Sequence, residues 1–348
     1  MKADIGAKER LADLLGNCGA VAMGVSQCCD TAPEMMKAYE SWLALGRQAG
    51  MEYLSNHMRI RSNPGLLLDG CKSIVSIAFS YNAPTRRCRN LPVIADYAQF
   101  PDYHDRIREL TGDAIKTMKE EYGGDYRTCV DSAPIFERYR AAMSGIGIIG
   151  DNGALIVPGV GSKVFLAEIL TTLEMESDTP LAGDCGRCGA CRNACPTGAL
   201  MPDGTIDSNL CLSYLTIEHR GEWTDEAHMK AMHTAAGRNT LFGCDICINV
   251  CPHNKLCHIT AESQESRKIP QIFRHIDMAD TLGADEIMQM GKDDFSKIFK
   301  GSCMKRAKLA GLRRNAENIL ARHAENRGRS SKNGSEDDDT PHSPYSGG

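Results

Sequence analysis

A chain of 348 residues has room for one large domain or two ordinary ones. Its 42% hydrophobic and 24% charged residues are those of a globular protein, and a formal net charge of −5 excludes a wholly basic nucleic-acid coat while allowing a local basic patch. No run of about 18 apolar residues occurs, which excludes a helical membrane span, and the N-terminal MKADIGAKERLADLLG reads as an amphipathic helix rather than a signal peptide, so a cytoplasmic protein is expected.

The first 60 residues carry helical Ala/Leu/Met patterning broken at Gly24 and Gly50. Cys71 to Tyr81, CKSIVSIAFSY, is apolar and β-branched and is closed by Asn82 and Pro84, which predicts a strand and then a loop. Between Asp102 and Tyr122 the residues Ile107, Leu110, Ala114, Ile115, Met118 and Tyr122 recur at helical spacing, and Gly123-Gly124 stops the pattern. Arg127 to Val130 is a second short strand. APIFERYRAAM predicts a helix with Pro134 in its first turn. Beyond Gly145, Gly147, Gly150 and Gly153, the runs ALIVPG and SKVFLAEILTTLEM predict a hairpin with a long second strand. Strands and helices alternate here, so residues 1–181 are expected to form one α/β or α+β domain. A cysteine-rich segment follows at 182–256, then a helical segment at 257–323. The polar, low-complexity residues 324–348 are expected to be disordered.

Sixteen cysteines are the anomaly, and eight of them fall between Cys185 and Cys251. A secreted disulfide scaffold would be shorter and carry a signal sequence, so clustered thiolates point to metal. The scattered ones read as small buried hydrophobes. Cys185, Cys188, Cys191 and Cys195-Pro196 follow the order C-x2-C-x2-C-x3-C-P, the bacterial ferredoxin run, in which the fourth cysteine serves a neighbouring cube. Cys244, Cys247 and Cys251-Pro252 lack one cysteine of the same pattern, and Cys211 supplies it. Crossing of the ligands assigns Cys185, Cys188, Cys191 and Cys251 to one [4Fe–4S] cluster and Cys195, Cys211, Cys244 and Cys247 to the other. Structural zinc would favour paired CxxC knuckles instead. The upstream residues must then hold whatever receives the electrons. The letters of Gly145-Ile-Gly147-Ile-Ile-Gly150 match GxGxxG, but they follow a helical stretch and lead into a strand, the wrong setting for a dinucleotide fold.

Several stretches together resemble the epoxyqueuosine reductase family, from about residue 51 to residue 320: MEYL, RSNPGLLLDGCKSIVSIAFSY, PDYHDRIREL, CVDSAP, SGIGIIGDNGALIVPGVGSKVFLAEILTTL, CGRCGACRNACPTGAL, CLSYLTIEHRG, FGCDICINVCPHNK and FKGSCMKRAKLAGLRRN. The resemblance implies an α+β protein: an α/β cobalamin-binding catalytic domain, a ferredoxin-like module with two [4Fe–4S] clusters, and a C-terminal helical segment. It implies base-off cobalamin beside one cluster, and two-electron reduction of epoxyqueuosine to queuosine at the wobble position of tRNA. An external donor of ferredoxin or flavodoxin type would supply the electrons, and a monomer is expected. Asp131 matches the family's proton donor, and an acid working near neutral pH calls for a raised pKa. On the residues alone, Asp131 or Ser132 caps the next helix instead. Arg61, Asn152, Gly153, Ser162, Leu166 and Ser213 match corrinoid-lining stretches, as Asp131 does. His219 and Arg220 match a tRNA-facing position.

Three departures stand out: Asp151 in place of Lys, Asn209-Leu210 in place of two arginines before Cys211, and His253 in place of Trp. Between Lys300 and Arg322 seven basic residues face one acid, and Lys305, Arg306, Arg313 and Arg314 are expected to meet RNA phosphates. Two other functions fit the residues less well. A corrinoid-dependent reductive dehalogenase has no use for that basic face. A non-enzymatic ferredoxin-type carrier has no use for the upstream domain.

Overall fold

The computed structural model describes residues 5–82, 87–88, 90–255 and 276–333. In chain order, helix α1 (Ile5–Asn17) leads to strand β1 (Ala22–Gln27), then α2 (Pro33–Ala44), α3 (Met58–Ser62), β2 (Ser73–Ser80) and the two-residue β3 (Val93–Ile94). Next come α4 (Tyr103–Tyr122), β4 (Tyr126–Cys129), α5 (Glu137–Met143), β5 (Ile148–Ile149), β6 (Leu155–Ile156) and β7 (Val164–Thr171). The cysteine-rich stretch holds α6 (Ala190–Ala194), α7 (Leu212–Ile217), α8 (Glu226–Met232), β8 (Thr240–Phe242), α9 (Ile246–Asn249) and α10 (Pro252–Lys255). Helices Asp277–Thr281, Ala284–Gln289, Lys292–Ile298 and Lys308–Asn333 close the described chain.

The main sheet runs β1-β2-β7-β4 with every neighbouring pair antiparallel, which makes the protein α+β. All eight residues of β2 are buried, as expected of a central strand covered on both faces. One face packs against α1 and α4 through Leu11, Leu15, Val75, Ile77, Ile107 and Met118. The other packs against α5 and the β5–β6 hairpin through Ala78, Ala141, Ile146 and Leu155. Each fully buried side chain of this size contributes about 1.5–3 kcal/mol over an exposed one.

Four local expectations change. Gly24 lies inside β1 rather than breaking a helix, because the strand crosses so close to the end of α5 that a Cβ there would come within 2.1 Å of the Ser144 carbonyl oxygen. Pro134 sits in the turn before α5, which begins at Glu137. Residues 155–156 pair with 148–149 and not with the long strand, because β7 is already flanked by β2 and β4. The last helix continues to Asn333, past the start of the tail expected at 324. Cys257 and residues 334–348 lie outside the described residues.

Packing also crosses the boundaries drawn from sequence. β3 pairs in parallel with β8, and Ile94, Ile217, Leu241 and Phe242 share one core with Ile287, Phe299, Leu312 and Ile319 of the C-terminal helices. The stretch between Cys211 and Cys244 therefore builds a second core with the C-terminal segment. Asn315 closes it by donating to the carbonyls of Thr216 and Leu241, both at 2.9 Å. Among the described residues, no helix is long and apolar enough to cross a membrane.

Candidate active site and cluster sites

The cysteines gather in two cavities. Cys185, Cys188, Cys191 and Cys251 line one, with Gly150, Asp151, Asn152, Pro252 and His253. Cys195, Cys211, Cys244 and Cys247 line the other, with Pro196, Leu200, Ile206 and Ile246. These are the two sets of four that crossing of the ligands assigns. The crossing has a visible cause: α6 and α9 pack against each other, and the residues after each helix swing toward the opposite cavity. Each cavity offers four thiols and an otherwise largely apolar wall, a donor set that fits an iron–sulfur cube.

The three departures from the family pattern are answered locally. Asp151 sits 3.3 Å from the Arg192 guanidinium, so the reversed charge acquires its own partner. The His253 ring lies 3.1 Å from the Cys185 carbonyl, at the rim of the first cavity. Asn209 donates to the Gly46 carbonyl at 3.0 Å, which ties the loop before Cys211 to the end of α2.

Asp131 follows β4 and adopts a left-handed conformation, with φ of 54°. A non-glycine residue is held there only when its surroundings demand it. Its side chain is 61% exposed, and Oδ2 lies 3.1 Å from His104 Nε2. Its backbone N–H donates to Glu137 Oε1. Ser132 Oγ accepts from Arg108 at 3.2 Å. Neither Asp131 nor Ser132 caps α5, whose N-terminus has no side-chain cap, so the capping reading is withdrawn. The expected raised pKa is also corrected: the hydrogen bond from His104 holds the Asp131 carboxyl below the ordinary range. The neighbours carry the raised values. Burial works against a charged His104, but Asp102 and Asp131 outweigh it and push the ring up to about 9. Desolvation, reinforced by Asp131, pushes Glu137 up to about 8. Sequence reasoning missed both groups, although Asp102 as the N-cap of α4, two positions before His104, was a readable signal.

The other candidates scatter around this centre. Arg61 is buried with its guanidinium 5.5 Å from the Tyr39 ring centre and 5.6 Å from that of Phe136. Asn152 donates to the Cys247 carbonyl at 3.2 Å, and the Gly153 carbonyl accepts from Arg138 at 2.6 Å. The Ser162 N–H donates to Asn254 Oδ1 at 2.6 Å. Leu166 lies on β7 opposite Ala78, and Ser213 lies in the first turn of α7.

The basic residues divide sharply. Arg314 is 5% exposed. It donates to the carbonyls of Leu215, His219 and Gly221 and lies 4.3 Å over the Trp223 ring. Its place among RNA-facing residues is withdrawn, because its donors are spent on these carbonyls and on Asn315 Oδ1. Arg313 donates to the Met290 carbonyl at 2.6 Å. Arg306 pairs with Glu218 at 2.8 Å, and Arg220 donates to the carbonyls of Ile217 and Arg306. The His219 ring lies 3.1 Å from the Glu222 carbonyl. Lys305 and Lys308 are exposed.

A family model described as "4Fe-4S double cluster binding domain" matches residues 184–254, and one described as "Epoxyqueuosine reductase QueG, DUF1730" matches residues 61–132. The chain is 38% identical to the epoxyqueuosine reductase of Cyclobacterium marinum over 79% of its own length and 85% of that relative. The chain belongs to the epoxyqueuosine reductase family. It is 33% identical to the Cellulophaga algicola reductase over 89% of its length and 98% of that protein. A crystal structure of an epoxyqueuosine reductase with an epoxyqueuosine-modified tRNA-Tyr stem loop superposes with a TM-score of 0.79 at 28% identity, covering 91% of this chain and 81% of that one. The Bacillus subtilis reductase, captured with its catalytic loop swung out of the active site, superposes at 0.78 with 27% identity over 95% and 86%.

Proposed function

We propose that this epoxyqueuosine reductase converts epoxyqueuosine to queuosine in tRNA with electrons carried by two [4Fe–4S] clusters and with Asp131 delivering protons to the departing oxygen. The observation that carries this reading is the Asp131 turn: an exposed carboxyl in a left-handed conformation, wedged against His104 and Glu137. Epoxide opening places negative charge on oxygen, and a proton donor in contact is worth about 10²- to 10⁴-fold in rate.

The eight cysteines would ligate the clusters in the two sets of four given above. Cobalamin, when bound, supplies a low-valent cobalt that is a strong reductant and nucleophile. The donor set suits such a polar cofactor at Arg61, held between two aromatic rings with Nε bonded only weakly, to the Asn56 carbonyl at 3.4 Å. Leu166 would add an apolar contact, and Gly153 and Ser213 small ones. Asn152 and Ser162 would act as wall residues, since their hydrogen bonds already tie them to the loop of Cys247 to Asn254. The base-off state and the ferredoxin- or flavodoxin-type donor belong to the same reading, as does a cytoplasmic monomer.

The deciding experiment is anaerobic reconstitution with iron, sulfide and cobalamin, followed by mass spectrometry of epoxyqueuosine-containing tRNA before and after addition of reductant. Conversion is expected only with both metal cofactors present. Cys211→Ala should lose one of the two clusters and keep the other, read as iron content and visible spectrum. Full iron content in that variant would remove Cys211 from the ligand set.

A further inference from the structure

Deoxygenating an epoxide to an alkene consumes two electrons and two protons. One C–O bond breaks and its oxygen takes a proton to become an alcohol. The second C–O bond then breaks, and the oxygen leaves as water with the second proton. The electrons arrive from the external donor through the clusters. One carboxyl holds one proton, so an acid at Asp131 must be reloaded within each turnover.

His104 stands directly behind it. Its Nε2 lies 3.1 Å from Asp131 Oδ2, and its Nδ1 lies 2.7 Å from Asp102 Oδ1. An ionised carboxylate only accepts hydrogen bonds, so a ring that meets one at each nitrogen carries a proton on both. Tyr103 stacks on the ring at 4.1 Å and fixes its plane, and Asp102 is itself pinned by accepting from the His104 N–H at the start of α4. Resting on the reading of Asp131 as the acid, we propose that His104 is the proton store of the site, a positioning residue that passes its Nε2 proton to Asp131 Oδ2, from which it reaches the departing oxygen. The imidazole is then recharged from solvent.

The surrounding groups agree with this direction of transfer. On α4, Asp102 and Asp131's partner ring are joined by Arg108, which further lowers Asp102. From α5, Glu137 faces the pair as a carboxyl held protonated up to about pH 8, and Arg138 draws the Asp131 carboxyl down. From the C-terminal segment, burial pushes the Cys303 thiol well up, so it stays neutral. The store is filled up to about pH 9, where the ring releases its proton. Asp131 alone, at the ordinary carboxylate value, would be empty at neutral pH.

The test uses reconstituted, prereduced holoenzyme and an epoxyqueuosine-bearing tRNA stem loop in single turnovers between pH 6 and pH 9.5. Wild type should hold its rate until about pH 9 and then fall. His104→Gln should be at least about tenfold slower at pH 8, with its alkaline limb moved down by two or more pH units, at unchanged iron and cobalamin content. Asp102→Asn keeps the helix cap and removes one of the two carboxylates, so its limb should fall between the two. Asp131→Asn combined with His104→Gln should be no slower than Asp131→Asn alone. An unmoved alkaline limb in His104→Gln overturns the proposal. If that variant fails to take up its clusters, an unmoved limb in Asp102→Asn overturns it instead. Near-normal turnover of Asp131→Asn would sink the assignment of Asp131 itself, a separate failure visible in a separate variant.

Discussion

The Asp131 turn and the Arg314 helix are both dense in charge, and they use it in opposite ways. At the turn, an acid, an imidazole and a second acid meet with the Asp131 carboxyl left 61% exposed. On the helix, Arg314 is drawn inward against Trp223, and its guanidinium is consumed by three backbone carbonyls and Asn315 Oδ1. Charge in a sequence is therefore not charge at the surface. The packing partner decides which residues remain available for chemistry and which become structural.

Substitutions at both places sharpen the contrast. Asp131→Asn should slow epoxyqueuosine conversion by at least about a hundredfold while iron content stays normal; near-normal turnover would put the proton source in water or the substrate. Arg314→Met should act on the fold instead, lowering stability by about 3 kcal/mol because buried carbonyls lose their donors. A melting curve indistinguishable from wild type would contradict the buried placement. Glu137→Gln probes the turn through pH. Its carboxyl is raised to about 8 from an ordinary 4.5. The folded state therefore binds the proton more tightly, and stability is fullest below about pH 4.5 and is lost as pH rises through about 8. Gln avoids that loss, so the variant should match wild type at pH 5 and exceed it by about 1 kcal/mol at pH 8.5, after allowance for screening. Equal denaturation midpoints at both pH values would show that Glu137 is not desolvated. The smallest effect belongs to the exposed lysines. Changing Lys305 and Lys308 to Glu should weaken tRNA binding severalfold and flatten its salt dependence by about one unit of slope per lost phosphate contact. Unaltered affinity would return that face to plain solvent exposure.

What the sequence revealed divides along the same line. The cysteine spacing picked out the two groups of four that line the two cavities, because a metal-binding motif is written locally in the chain. The α4 periodicity marked a helix because one face is fully committed to the core. β1 was hidden because AMGVSQ has too little apolar alternation, and its position rests on Gly24 passing beside Ser144. The burial of Arg314 was hidden because its acceptors lie about a hundred positions away. His104 was present in PDYHDRIREL but unremarkable there; only the fold brings it beside Asp131, 27 positions on.

The β3–β8 pair has a consequence for how the protein is made. Val93 and Ile94 leave the ribosome long before their partners at Thr240–Phe242. At a synthesis rate of about 5–20 residues per second the wait is on the order of ten seconds. During it the strand that joins the two cores has nothing to pair with, and the first cysteine motif is already exposed without Cys251. If each set of four holds a cube, neither can be completed until the second motif has emerged.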